Sequence, residues 1–398
     1  DLHKAIRRQR QMCIRDRFWN GLSAIFQNNL MMRRTTKLAS SIAHINGQKV
    51  VGAEAYTSEP ESGRWQEYPF ALKAVGDKAF TEGINRMVIH RYAMQPHPDA
   101  APAMTLGPWG IHFDRTNTWW EPGCAWINYL NRCQTLLQEG LFVADFAYFT
   151  GDNIVGYTKV HRRDLNPVPP EGYDYDLMNT ETLLNRAWVE RGRLRLPDGM
   201  NYRVLVLQEQ SHITLGLLRK LRNMVEQGLI IVGARPQQTV GLQSYSVIEE
   251  KEFEELCDEL WGKAATTVVD RSVGKGRIFW ETSLNLEQVL EKIQLRPDFE
   301  VSTDSISAPI RYIHRQIGEA DVYFVANQQR TSKELICNFR VKGKIPEFWN
   351  PISGERTRAM VYQTNEETIS VPVQLEAYGS VFVVFRSDLP EQKAIRSI

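Results

Sequence analysis

Residues 48–57, QKVVGAEAYT, and residues 70–94, FALKAVGDKAFTEGINRMVIHRYAM, decide how the rest of this chain is read. The first run opens on β-branched Val50 and Val51 and reaches Glu54 just before the sequence turns polar, the signature of a strand that ends in a loop. In the second, residues 70–85 read as a helix, and MVIHRYAM at 87–94 reads as a further strand. Strand, helix and strand in succession, with polar loops after the strands, predict parallel β/α architecture, in which chemistry gathers at the C-terminal strand ends. That makes Glu54 a question. An unpaired carboxylate costs several kcal/mol to bury. It is therefore either capped by an amide or paired with an arginine, or it stands ready for a ligand.

The pattern extends in both directions. Upstream, Trp19, Leu22, Ile25, Phe26, Leu30, Leu38 and Ile42 recur at helical spacing, which predicts a helix over 18–46. The stretch RRQRQMCIRDR (7–17) leads into no domain start and resembles translated adapter sequence, so residues 1–17 are set aside as a non-native lead. Downstream, the irregular segment 95–123 is too long for a plain connector and reads as a functional loop. A helix over 124–140, stopped by Gly140, and a buried strand over 141–151 follow. After the proline-rich RRDLNPVPPEGYDYD (162–176), strand 202–208, helix 213–228, strand 229–234, strand 277–282 and helix 285–293 describe a small doubly wound domain. From about residue 300, short strands separated by turn signals predict a β-sandwich.

Composition describes a globular protein. Of 398 residues, 42% are hydrophobic and 24% charged, enough for a sizeable core and two or three domains. A net charge of +1 gives no electrostatic case for nucleic acid or an anionic membrane, and no apolar run approaches the roughly 20 residues of a membrane span. The five cysteines include no CxxC pair, which indicates neither a zinc site nor a disulfide framework.

Acids, histidines and aromatics cluster around the early strands. Glu54, His90 and Asp145 each fall late in an expected strand, where a barrel would aim them into one pocket. Glu82 closes the helix before MVIHRYAM, where a carboxylate opposes the helix dipole. The loop holds Trp109, His112, Asp114 and the adjacent Trp119 and Trp120, with Tyr92 just before it. Aromatic platforms beside acids suit sugar rings. Neither GxGxxG nor a GxxxxGK[ST] phosphate loop is present.

Four blocks carry a specific resemblance: GAEAYTS, LKAVGDKAFTEGINRMVIHRYAMQP, GPWGIHFDRTNTWW and WINYLNRCQTLLQEGLFVADFAYFTGDN. Over about residues 47–155 they resemble the α-L-rhamnosidases of glycoside hydrolase family 106, and the later segments are also similar to family 42 β-galactosidases. The resemblance implies an α/β chain made of part of a (β/α)8 TIM-type barrel over 18–155, a flavodoxin-like domain of class I amidotransferase type over 156–298, and a small β-sandwich over 299–390. LIIVGARP (229–236) carries no cysteine where an amidotransferase nucleophile would stand, and Cys257 lies in a helical run, so the middle domain reads as structural or oligomeric. The implied activity is exo-hydrolysis of terminal α-L-rhamnose from a plant-type polysaccharide or glycoside, with inversion, in a calcium-containing pocket. The alternatives are a family 42-like β-galactosidase, or a non-catalytic carbohydrate-binding protein on a decayed barrel. The carboxyl pair expected is Glu54 and Glu82, with Glu54 alternatively a calcium ligand. His90, Tyr92, Trp109, His112, Asp114, Trp119, Trp120 and Asp145 are expected to bind substrate. The resemblance begins late in the barrel, so the chain reads as a fragment, inactive alone, of a periplasmic or secreted enzyme.

Overall fold

The computed structural model describes residues 17–18, 35–57, 65–105, 107, 110–152, 159–208, 211–240, 247–263, 268–281, 284–302 and 310–387. It is a mixed α/β chain that divides into two compact units, one of residues 1–43, 49–142 and 299–398, the other of residues 44–48 and 143–298.

In the first unit, three parallel strands lie side by side: β1 (Arg17–Phe18), β2 (Gly52–Ala55) and β3 (Arg86–Ile89). Helix α1 (Thr35–Ile45) precedes β2, and α2 (Pro69–Thr81) carries the chain from β2 to β3. The helix expected over 18–46 is thus seen only as α1; Phe18 is in a strand, and 19–34 lie outside the described residues. Pro69 starts α2 at a position where a missing N–H is no loss. Alternation along β2 buries Ala53 and Ala55 and puts Glu54 on the opposite face. In register, Glu54 lies opposite Val88, which is 53% exposed on that same face. Directly after β2, Tyr56 takes φ of 60°, turning the chain while its ring is fully buried. Its hydroxyl donates to the Met87 sulfur at 3.0 Å and occupies the space a side chain at Gly76 would need. Helix α3 (Cys124–Leu137) packs close by, with the Gln134 amide oxygen accepting the Met87 backbone N–H at 2.7 Å.

The rest of this unit is antiparallel. One sheet runs Phe299–Ser302, Lys333–Phe339, Ile369–Leu375, Gln363–Thr364; the other runs Arg356–Arg358, Ile345–Trp349, Ser380–Arg386, Ala320–Asn327, Ile310–Ile317, Leu141–Phe142. Strict alternation along Ile369–Leu375 sends Ile369, Val371, Val373 and Leu375 inward to meet Tyr323, Phe339 and Phe385 in one apolar core.

The second unit holds a six-stranded sheet in the order Val268–Val273, Gly276–Glu281, Ile230–Val232, Val204–Val206, Phe146–Phe149, Tyr175–Met178, parallel except for the first strand. One correction to the sequence reading follows. The run 141–151 is two strands in two different sheets, because Leu141–Phe142 pairs with Ile310–Ile317 while Phe146–Phe149 pairs with Val204–Val206. The segment 162–176 is an internal connection, since it lies within the stretch 143–298 of this unit. Cys257 is fully buried on the helix Val247–Trp261, and burial pushes its thiol up to about 12, which leaves no thiolate at neutral pH.

Candidate active site

Glu54 stands one residue before the end of β2, and its Oε1 accepts the Thr57 hydroxyl at 2.7 Å across the turn that Tyr56 makes. His90 follows β3 directly, its backbone N–H donating to the Ala55 carbonyl at 3.0 Å. Both therefore sit at the C-terminal edge of the parallel sheet, as the sequence pattern implies. From His90 the chain leaves the sheet and is met by the returning loop: Ile111 donates to the His90 carbonyl at 3.0 Å, Arg91 to Ile111 at 3.1 Å and Phe113 to Arg91 at 3.2 Å. Gly110 makes this approach possible. Its φ of 85° suits glycine, and a Cβ there would collide with His90 Nδ1.

The loop is knotted by Asp114, which is buried and accepts from the Gln95 amide at 3.1 Å, the Thr116 backbone N–H at 2.9 Å and the Thr116 hydroxyl. Three internal bonds hold this carboxylate within the loop. Gln95 in turn clasps Met104 through both amide atoms. Arg91 is buried beside them and donates to the Gly107 carbonyl at 2.6 Å. His112, 3% exposed, stacks on Trp65 with ring centroids 3.5 Å apart. Burial, and then the Arg91 charge, hold its pKa below the usual imidazole range against the opposing pull of Asp114. It is a neutral imidazole at pH 7. The Nδ1 atoms of both His90 and His112 are buried with no hydrogen-bond partner among the described residues.

Aromatic rings wall this cluster. Trp119 and Trp120 pack on Phe113 at 5.8 and 5.0 Å, and Trp119 stands edge-on to Trp126 at 5.8 Å. The Trp119 indole N–H donates to the Glu67 carbonyl at 2.8 Å. Tyr92 is 64% exposed, with its ring 6.5 Å from Trp120. Trp109 lies outside the described residues.

Two expected members are elsewhere. Glu82 caps the C-terminus of α2 ahead of β3, at the opposite edge of the sheet from His90. Its carboxylate accepts the Thr36 hydroxyl, Lys78 lies 3.8 Å away, and its carbonyl accepts from Ser40 at 2.7 Å. Glu54 and Glu82 therefore stand at different ends of the βαβ crossover, whose helix ends at the start, not the end, of the next strand. Asp145 belongs to the second unit, where it precedes Phe146–Phe149 and pairs with Arg203 at 3.2 Å. Sequence reasoning passed over Trp65, Glu67, Arg91 and Gln95. Glu67, 2% exposed, is on the segment leading from β2 into α2, and a Trp and a Glu two apart after a Ser- and Gly-rich stretch was the available signal.

Calcium binds six to eight oxygens. Among the described residues no three His, Cys, Asp or Glu side chains come together to hold a metal ion, and Glu54 is engaged with Thr57.

The chain is a mixed α/β protein, and comparison with known proteins gives its family. A family model described as alpha-L-rhamnosidase, glycoside hydrolase family 106, matches residues 5–364, and the chain belongs to that family. The match begins inside the stretch 1–17 that the sequence reading sets aside. A rhamnosidase from Novosphingobium sp. PP1Y superposes with a TM-score of 0.83 at 30% identity, covering 96% of this chain and 35% of that one. A Formosa agariphila protein named "Putative beta-glucuronidase" is 35% identical over 381 residues, which are 96% of this chain and 30% of that protein. A β-galactosidase from Bacillus circulans sp. alkalophilus shares the fold at a TM-score of 0.52 and 10% identity, over 89% of this chain and 58% of that one. The chain thus spans about a third of the length of its first two relatives. Among the described residues no helix is long and apolar enough to cross a membrane.

Proposed function

We propose that this chain is the part of an exo-acting, inverting α-L-rhamnosidase in which the β2–α2–β3 sheet is the closing portion of a (β/α)8 barrel, followed by a flavodoxin-like domain and a β-sandwich. The observation that carries the reading is the juxtaposition, at one edge of a parallel sheet, of Glu54 and His90 with a loop that buries a neutral His112 against Trp65. Inversion needs two carboxyl groups about 6.5–9.5 Å apart, one donating a proton to the leaving oxygen while the other takes one from water. Glu54 is one of them. Glu67 is a better second candidate than Glu82, since it lies on the segment that leaves β2 and is buried against the Trp119 indole. Trp119, Trp120 and Tyr92 offer faces to sugar C–H groups. A calcium ion would draw on carboxylate, amide and carbonyl oxygens, Glu54 among them, and no step is assigned to it. A plant-type rhamnosyl polysaccharide or glycoside is the substrate proposed, met in the periplasm or outside the cell.

The test is a panel of aryl glycosides given to a protein of the relatives' full length. Release from the α-L-rhamnoside alone is expected. Release from the β-D-glucuronide would transfer the reading to the activity that names the Formosa relative, and release from the β-D-galactoside to a family 42-like enzyme. Sugar binding without release from any of them would leave a non-catalytic binder. In the same assay Glu82→Gln should leave turnover within about threefold of the parent, as a substitution remote from the reacting atoms does, while lost contacts to α1 lower stability by roughly 1 kcal/mol.

A further inference from the structure

The antiparallel part of the first unit has a cleft of its own. It opens where the strands Ile345–Trp349 and Arg356–Arg358 of one sheet face Ile369–Leu375 of the other, and it encloses about 340 Å³, within the range of small-ligand sites. A tight turn builds its rim. The Asn350 side-chain oxygen accepts the backbone N–H groups of Ile352 and Ser353 at 2.8 and 3.2 Å, the Asn350 N–H donates to the Glu355 carbonyl at 2.8 Å, and Gly354 takes φ of 80° to close it. The floor is apolar, made by Phe348, Pro372 and Val373.

Four polar side chains stand over that floor. Asn350, Glu355, Thr357 and Gln374 line the cleft, and the Asn350 amide nitrogen, the Glu355 carboxylate, the Thr357 hydroxyl and the Gln374 amide have no partner among the described residues. We infer that this cleft is a second glycan site, binding a neutral sugar residue of a polysaccharide apart from the hydrolytic centre. An apolar floor meets the C–H face of a pyranose, and amides and a hydroxyl at its edge satisfy the outward hydroxyls. A carboxylate accepts two adjacent hydroxyls at once. The lining includes one carboxylate and no cation, so a uronate-rich chain meets like charge there and is disfavoured.

Affinity electrophoresis of the chain through gels holding a neutral rhamnan, a neutral galactan or polygalacturonate tests the inference. The choice of rhamnan rests on the rhamnosidase reading, whereas the cleft does not. Because Asn350 caps a turn, the variant is the double substitution Gln374→Ala with Thr357→Val, two exposed side chains without internal bonds. Retardation by rhamnan is expected, weakened at least tenfold in the double variant. Retardation by galactan in place of rhamnan, with the same sensitivity to the double variant, would keep the site and change only the neutral sugar it takes. Retardation indifferent to the double variant, retardation only by polygalacturonate, or none in any gel would overturn the site.

Discussion

Replacing Glu54 by Gln is expected to lower kcat on an aryl α-L-rhamnoside by about 10²–10⁴-fold, the loss typical of removing a positioned proton-transfer group. The substitution keeps the shape of the side chain and its acceptance of the Thr57 hydroxyl through the amide oxygen, so the loop turn at Tyr56 should survive. The pattern of the loss identifies the role. If Glu54 donates a proton to the leaving oxygen, substrates with good leaving groups regain most of the rate. If it activates water, the deficit is the same for good and poor leaving groups. If it holds calcium, activation shifts to higher calcium concentrations while turnover at saturation recovers. Unchanged kinetics would return Glu54 to the role of a strand-end acid held by Thr57.

The second large effect is on folding. Asp77, on α2, is fully buried and accepts from Lys73 at 2.5 Å and from the Tyr129 hydroxyl of α3. Ser380, from the strand Ser380–Arg386, closes the network, 2.7 Å from Lys73 and 3.0 Å from Tyr129. Asp77→Ala leaves the Lys73 ammonium without its counter-charge in a largely dry site and should cost about 3–5 kcal/mol. Asp77→Asn retains an acceptor and should cost less. Burial raises the Asp77 pKa against the lowering influence of Lys73, Tyr129 and Ser380. A raised carboxyl pKa contributes stability that is complete below the unfolded value near 3.8 and is lost as pH rises through the folded value. The cost of Asp77→Asn, read from denaturant midpoints, should therefore shrink as pH rises. A cost that grows with pH, or an Asp77→Ala variant as stable as the parent, would contradict this description of the network.

What was legible in the sequence follows from periodicity. β2, α2 and β3 were readable because each is short, regular and bounded by polar turns, and the two antiparallel sheets because alternation such as that of Ile369–Leu375 has no other meaning. The run LFVADFAYFTG misled because an all-apolar strand does not reveal its neighbours. Phe146–Phe149 is buried on both faces, and only pairing shows that it joins Val204–Val206. Asp145 was misplaced for the same reason. The strand-end positions of Glu54 and His90 were legible because strand ends can be counted, whereas the partners of Asp114, Gln95 and Thr116, were not, since they are set by the path of an irregular loop. Glu82 looked special for opposing a helix dipole, yet a hydroxyl on α1 resolves that cost locally.

The measurement that bears most directly on the central claim is the anomer first released by a protein of the relatives' full length, followed by NMR as an aryl α-L-rhamnoside is hydrolysed. An inverting enzyme liberates β-L-rhamnose first, which then mutarotates to the equilibrium mixture. That signal, abolished by Glu54→Gln, is the expected result. Initial appearance of α-L-rhamnose, or no rhamnose at all, would contradict the account.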